Sequence, residues 1–219
     1  MYHLIAVAVA LALLFILWFR RPKDELGFCS EDAPYIKPVV LEDIITPEEA
    51  EYVLEKAKAD FSESTILSGA DDSIRKSETA WLRKTDPVIE TFFTRLSKQF
   101  NFDMANVEDL QVVRYQPGGF YNEHHDSCCD NTSHCRDFAS KSGQRVLTIL
   151  IYLNDEFEGG YTNFKNLNLN LKAKPRGGIV FHPLQTDGNK CHPHALHKGT
   201  PVTSGVKYIC NIWVRERPF

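Results

Sequence analysis

The sequence has no excess of basic residues. Its 219 residues contain 25 lysines and arginines against 29 aspartates and glutamates, which gives a net charge of −4. A protein that binds nucleic acid needs a basic surface to neutralise phosphates. Here Lys and Arg are scattered along the chain rather than gathered into a stripe. The composition therefore argues against nucleic acid as a partner.

The sequence also lacks an internal repeat and a convincing triad of nucleophile, base and acid. The first absence excludes a repeat architecture, and the second argues against hydrolysis through a nucleophilic side chain. The hydrophobic content of 43% and the aromatic content of 11% are those of an ordinary globular protein. A chain of this length favours one large domain over two small ones.

Charged side chains are absent from residues 1–19, MYHLIAVAVALALLFILWF. As a helix this segment spans about 28 Å, which is close to the thickness of a bilayer core. A cleaved signal peptide is the alternative, but no basic flank precedes the segment and no small-x-small site precedes Arg20. We therefore predict a retained single-pass transmembrane anchor over residues 1–19, a polar linker over 20–35 and one domain over 36–219.

The orientation in the membrane stays open. Arg20, Arg21 and Lys23 follow the apolar segment, and the positive-inside rule then places the domain in the cytosol. Six cysteines and the glycosylation sequon at Asn131 favour an oxidising lumen instead.

Two helices and then many short strands are predicted for the domain. Thr46 and Glu49 form a capping box around Pro47, and Asp86-Pro87 begins a second helix with apolar residues at spacings of three and four. After residue 105, short β runs are separated by Gly, Pro and Asn. The pattern predicts a mainly β domain with flanking helices, namely a jelly roll or double-stranded β-helix.

One stretch, YQPGGFYNEHHD at residues 115–126, indicates metal chemistry. If it continues as a strand, His124 and Asp126 share a face, and such a pair is two thirds of a facial metal site. The third ligand can come from His192, His194 or His197. Lys207 favours the last of these, because a lysine in an apolar strand is costly unless it meets an anion such as a carboxylate.

Five blocks in this order resemble the prolyl 4-hydroxylases, which are Fe(II)- and 2-oxoglutarate-dependent dioxygenases. The blocks are YQPGGFYNEHHD (115–126), QRVLTILIYLND (144–155), GGYTNF (159–164), PRGG (175–178) and HKGTPVTSGVKYICNIW (197–213). The resemblance implies iron ligands at His124, Asp126 and His197, and it pairs Lys207 with the distal carboxylate of 2-oxoglutarate. The other residues that it implies are Tyr115, Thr162 and Tyr152 for the cosubstrate and Arg145 and Trp213 for the substrate.

The resemblance also implies the reaction. Peptidyl proline would be hydroxylated to 4-hydroxyproline while 2-oxoglutarate is decarboxylated to succinate and CO2, with L-ascorbate as reductant. The domain would then lie in a lumen of the endoplasmic reticulum type. Two alternatives stay open: a dioxygenase that acts on another residue or a small molecule, and a membrane-tethered binding module without turnover.

The cysteines permit two interpretations. Cys128, Cys129 and Cys135 with His134, and Cys191 with His192, could bind structural zinc, although their spacing fits no standard finger. Disulfides are the other interpretation, with one bond inside 128–135 and one that reaches Cys191. Cys210 is predicted to be a buried free thiol because its strand is apolar.

Overall fold

The structure is a computed structural model that describes residues 26–66 and 71–219. The anchor predicted over residues 1–19 lies outside these residues. Across the two described ranges, no helix is both long and apolar enough to cross a membrane. Part of the predicted linker is described, and it hydrogen-bonds to the segment before His197: Cys29 N–H donates to Cys191 O over 3.1 Å, and Thr186 N–H donates to Pro34 O over 3.0 Å.

The described chain is mainly β, with three α-helices and fourteen strands. The helices are α1 (Pro47–Ala57), α2 (Pro87–Phe100) and α3 (Ser133–Ser142). The strands are β1 (Val39–Leu41), β2 (Ser62–Glu63), β3 (Arg75–Lys76), β4 (Glu78–Leu82), β5 (Leu110–Tyr115), β6 (Phe120–His124), β7 (Arg145–Tyr152), β8 (Phe157–Gly159), β9 (Thr162–Phe164), β10 (Leu169–Leu171), β11 (Gly178–Phe181), β12 (His197–Gly199), β13 (Val202–Gly205) and β14 (Lys207–Arg215).

The strands form two larger antiparallel sheets and one small two-stranded sheet. The seven-stranded sheet has the order β1-β11-β7-β14-β5-β4-β2, and the five-stranded sheet has the order β10-β9-β12-β6-β3. Strands β8 and β13 pair separately. This arrangement of two facing sheets with few helices is consistent with the predicted jelly roll.

The large sheet separates two apolar cores. On β7, Leu147, Ile149 and Ile151 pack under α1 and α2, whereas Leu150 and Tyr152 pack towards the second sheet. This alternation follows from the two-residue period of a strand. Because both faces of the sheet are buried, the strand is apolar along almost its whole length, as the run RVLTILIY shows.

Helices α1 and α2 begin where the sequence predicts. Thr46 and Glu49 form the capping box, with Thr46 N–H donating to the Glu49 carboxylate over 2.8 Å. Asp86 caps α2 through the N–H groups of Val88 and Ile89. These bonds satisfy backbone donors that have no partner inside a helix.

The polar segment after Asp126 contains the third helix, which the sequence analysis did not predict. Helix α3 begins after the N-cap Thr132 and ends at Gly143, which has φ 76°. Disulfides Cys128–Cys135 and Cys129–Cys191 hold this region, and Cys210 is buried and free. The sequence does not predict this helix, because the segment is rich in Ser, Asp and Cys, and such a composition indicates a loop.

A buried carboxylate at Glu108 joins two arginines next to the site. Glu108 accepts from Arg145 Nε at 2.7 Å and pairs with Arg215 Nε at 2.6 Å. We expect Glu108→Ala to lower the free energy of unfolding by about 3–5 kcal/mol, because the buried guanidinium of Arg215 and the partly buried one of Arg145 then lose their counter-charge. Urea denaturation measures this. Glu55→Ala, which removes an exposed ion pair with Lys58, should leave the midpoint nearly unchanged. Equal losses in both variants would contradict the prediction.

Candidate active site

Three side chains meet where β6 ends and β12 begins. His124 ends β6 and His197 begins β12, and the strand register places the two residues opposite each other. Asp126 lies two residues beyond the end of β6, so it is not part of the strand. Its Oδ1 is 3.7 Å from His124 Nε2 and 3.8 Å from His197 Nε2. The three ligand atoms lie within 4.8 Å of one another.

Backbone carbonyls orient both imidazoles. Nδ1 of His124 is 2.7 Å from Asn122 O, and Nδ1 of His197 is 3.0 Å from Ala195 O. A carbonyl oxygen only accepts, so Nδ1 carries the proton in each ring. In the neutral rings the lone pair is therefore on Nε2, which faces Asp126.

The carboxylate of Asp126 is held from its other side. Its Oδ2 accepts from Thr148 Oγ1 over 2.6 Å and from Trp213 Nε1 over 3.1 Å. Oδ1 is left to face the histidines. Both strands β7 and β14 therefore contribute one donor that fixes which oxygen points to the centre.

The electrostatics of His124 and Asp126 suit a metal centre. Burial lowers the pKa of His124, and the neighbouring His197 lowers it further. Burial by itself opposes ionisation of Asp126, but the two histidines and Arg145 outweigh it and hold the pKa of this carboxyl below its usual range. Two imidazoles and one carboxylate are the donors of the facial triad that binds Fe(II). The residues present therefore fit that metal.

The other two histidines considered as third ligands lie elsewhere. His192 uses both ring nitrogens, with Nε2 3.0 Å from Ala33 O and Nδ1 accepting from the His194 N–H over 3.1 Å. Its ring stacks on Tyr35 at 4.3 Å between centroids.

Lys207 lies in the same cavity, which has a volume of about 540 Å³. Its side chain is buried, and Nζ donates to Gly160 O over 2.6 Å. In the described residues, no carboxylate pairs with it. Burial lowers the pKa of the ammonium to about 7, and the nearby Lys172 adds to this effect. A buried cation without an anion is an unfavourable arrangement that a bound carboxylate would relieve.

Of the three residues predicted to bind the cosubstrate with Lys207, two line the cavity and one does not. Tyr115 pairs with Lys207 in the strand register, and both it and Thr162 line the cavity. Tyr152 is fully buried and does not line the cavity; its hydroxyl lies 3.0 Å from Thr162 Oγ1. The Lys207 ammonium lies 4.8 Å from the centre of the Tyr152 ring.

Arg145 and Trp213 also line the cavity, but the polar groups of both already bond to other side chains of the protein. The guanidinium of Arg145 binds Glu108 through two nitrogens and stacks on the Trp213 ring at 3.4 Å. Trp213 in turn donates to Asp126. These contacts connect Glu108 to the candidate metal centre through Arg145 and Trp213.

Three residues of the site were missed from the sequence. Thr148 and Glu108 position Asp126 and Arg145, and Arg75 lines the cavity with its guanidinium 4.7 Å from the centre of the Tyr121 ring. Arg75 is buried, and its Nε donates to Ser77 Oγ over 2.8 Å. Thr148 had a weak signal as the polar residue inside RVLTILIY. Arg75 had none, because it follows a polar Ser/Asp-rich stretch.

Comparisons with known proteins agree with this fold. Residues 110–215 match the sequence model of the 2OG-Fe(II) oxygenase superfamily. A protein of Acanthamoeba polyphaga mimivirus that carries the name prolyl 4-hydroxylase is 48% identical over 197 residues, which is 90% of this chain and 81% of that protein. Prolyl 4-hydroxylase 1 of Arabidopsis thaliana is 30% identical over 82% of this chain and 69% of its own length.

A solved structure is also similar. The viral collagen prolyl hydroxylase of Paramecium bursaria Chlorella virus-1, in a complex with 2OG, matches with a TM-score of 0.65 and 27% identity over 82% of this chain and 96% of that chain. The fold and the candidate site define a 2OG-Fe(II) oxygenase. Within that superfamily, the chain belongs to the prolyl 4-hydroxylase family.

Proposed function

We propose that the chain hydroxylates peptidyl proline to 4-hydroxyproline as an Fe(II)- and 2-oxoglutarate-dependent dioxygenase. The observation that carries the proposal is one cavity that holds two Nε2 atoms, one carboxylate oxygen and an ammonium that no carboxylate of the described residues pairs with. The names of the similar proteins support the reaction, and one of them binds 2OG.

In this proposal, His124, Asp126 and His197 hold the iron, and Lys207 binds the distal carboxylate of 2-oxoglutarate. Bound Fe(II), with 2-oxoglutarate and dioxygen, supplies the oxidising chemistry that releases succinate and CO2 and places one oxygen atom on proline. The chain itself orients the ligands, since Thr148 and Trp213 fix Asp126. Tyr115 and Thr162 complete the cosubstrate pocket, with Tyr152 behind Thr162.

Aromatic side chains at the cavity favour a proline-rich peptide. Trp81 is 50% exposed, lines the cavity and lies 6.1 Å from the Trp213 ring between centroids. Proline-rich segments adopt the extended polyproline II helix and dock on aromatic grooves. We therefore assign the peptide to the side of the cavity that Trp81 and Trp213 line, with Arg145 beside it.

Compartment and reductant are part of the same proposal. Two disulfides support an oxidising compartment of the endoplasmic reticulum type, and the anchor over residues 1–19 would hold the domain at its membrane. L-ascorbate would keep the iron reduced.

The test is succinate formation by the purified chain with Fe(II), 2-oxoglutarate, ascorbate and a proline-rich peptide. We expect peptide-dependent succinate and a mass gain of one oxygen atom on proline, and neither with a peptide in which alanine replaces each proline. Succinate without a modified peptide would keep the dioxygenase and reject the substrate. A chain that binds no iron and makes no succinate would contradict the proposal and favour a binding module.

Substitutions at Thr148 test whether its hydroxyl orients Asp126. We expect Thr148→Val, which keeps the shape but removes the 2.6 Å hydrogen bond, to weaken Fe(II) binding by about 10- to 100-fold. Thr148→Ser keeps the hydroxyl and should bind iron nearly as the parent does. Metal titration of both variants measures the difference, and equal affinities would refute the orienting role.

A further inference from the structure

A second group of side chains with metal-ligand atoms includes a neighbour of the proposed iron ligands. A ring nitrogen of His125 and the sulfurs of Cys129 and Cys191 lie within 4.8 Å of one another. His125 stands between the two proposed ligands His124 and Asp126 in the chain, but it is not a member of their group. Its Nδ1 is buried and has no hydrogen-bond partner within residues 26–66 and 71–219.

The two sulfurs are joined in a disulfide that connects both ends of the site. Cys129 comes three residues after Asp126, and Cys191 comes six residues before His197. The bond therefore ties the segment after one proposed iron ligand to the segment before another. His124 and His197, which pair in the strand register, stand five residues before Cys129 and six residues after Cys191.

We propose that reduction of Cys129–Cys191 converts this disulfide into a Cys2His site for Zn²⁺, made by Cys129, Cys191 and His125. Imidazole and thiolate are the ligands that zinc prefers, and three protein ligands leave a fourth position to water. Once the bond is broken, the sulfurs separate to roughly 3.8 Å, which tetrahedral Zn–S bonds of about 2.3 Å require. The unpartnered Nδ1 shows that the imidazole is not fully committed to other contacts in the disulfide form.

The reductant is a dithiol, and the chemistry balances. A thiolate of the dithiol attacks the half-buried Cys129 sulfur, and Cys191 leaves as a thiolate. The second thiol of the reductant then displaces Cys129 and closes its own disulfide. Two electrons pass to the protein, and the two cysteines take up two protons, which Zn²⁺ displaces when it binds.

The consequence is that the link between the two ends of the site survives in either redox state. A covalent bond holds residues 129 and 191 in an oxidising compartment, and a bound metal holds them in a reducing one. The other disulfide, Cys128–Cys135, joins residues only seven apart, and the metal-binding group does not include it. It therefore provides a matched control pair.

The experiment is a Co²⁺ titration of the full chain before and after reduction with a phosphine. The proposed iron centre has no sulfur ligand, so Co²⁺ bound there gives no sulfur-to-metal charge-transfer band. We expect the oxidised chain to bind one Co²⁺ without that band and the reduced chain to bind a second with it. Zn²⁺ should displace the second ion and remove the band.

Variants test whether Cys129 and Cys191, rather than other cysteines, bind the second metal ion. Cys129→Ser should abolish the band, whereas the double variant Cys128→Ser, Cys135→Ser should keep it. His197→Ala should keep the band while losing the first ion, which distinguishes this site from the proposed iron centre. A reduced chain without a charge-transfer band, or a band lost only in the Cys128/Cys135 variant, would overturn the proposal.

A second measurement uses the chain without substitutions, so its outcome does not depend on whether the variants fold. The reduced chain is alkylated with and without Zn²⁺, and the modified cysteines are identified by mass spectrometry. Zinc should slow alkylation of Cys129 and Cys191 at least tenfold and leave Cys128 and Cys135 unchanged. Equal alkylation of both pairs with zinc present would refute the site.

Discussion

Replacing Lys207 by methionine should weaken 2-oxoglutarate binding at least a hundredfold while making the ligand-free protein more stable. Nζ is buried, hydrogen-bonds only to Gly160 O at 2.6 Å and has no carboxylate partner among the described residues. Methionine fills a similar volume without charge. We expect the free energy of unfolding to rise by about 1–4 kcal/mol. The affinity for 2-oxoglutarate should fall by about 3–5 kcal/mol, which is at least a hundredfold.

The pH dependence gives a second readout of the same residue. Burial holds the pKa of Lys207 at about 7 in the folded chain, whereas the unfolded chain has the ordinary value near 10.4. Between these values the unfolded chain binds more protons, so the contribution of Lys207 to stability rises as pH increases from about 7 to about 10. Lys207→Met should lack this rise.

Calorimetric titration with 2-oxoglutarate and urea denaturation over this pH range measure both effects. Lys172→Met is the matched control, since Lys172 lies on the Phe157 ring at 3.9 Å and does not line the cavity. It should change 2-oxoglutarate affinity by less than about threefold. If Lys207→Met bound 2-oxoglutarate as the parent does, the anion site would have to be sought elsewhere in the cavity.

Asp126→Asn should remove the metal centre although it changes only one atom. Oδ2 of Asp126 accepts two hydrogen bonds, from Thr148 and from Trp213. In the variant the amide oxygen takes these bonds, so the amide nitrogen must occupy the place of Oδ1. That nitrogen carries two protons and no lone pair for a metal. The same two hydrogen bonds that orient the carboxylate therefore prevent the amide from acting as a ligand.

The expected loss of Fe(II) affinity is about 3–5 kcal/mol, at least a hundredfold, because a buried charge is also lost. Peptide-dependent succinate should fall below detection. Asp130→Asn is the control: Asp130 lines the same cavity, but it caps Thr132 near the surface. Metal titration and succinate assays compare the variants. A variant at position 126 that kept its iron would mean that the carboxylate is not a ligand.

The sequence predicts those features that depend on contacts between residues close in the chain. The beginnings of α1 and α2 follow from Thr46 and Asp86, whose bonds reach only two or three residues along the chain. The long strands β7 and β14 follow from apolar runs that no surface strand would show. Helix α3 was missed because disulfides and packing stabilise it, and its own composition does not favour a helix.

The same division holds for the candidate site. The sequence alone pointed to the mainly β class, to the prolyl 4-hydroxylase family and to His124, Asp126, His197 and Lys207 as residues to examine, since each stands in a local pattern of residue types. Only the tertiary structure brought these residues into one cavity and showed that Arg145 is bound to Glu108. It alone revealed Arg75, and it identified Cys129 as the partner in the predicted disulfide to Cys191. The reason is physical: strand pairing and burial join residues that are distant in the chain, and no local pattern records which partner each will meet.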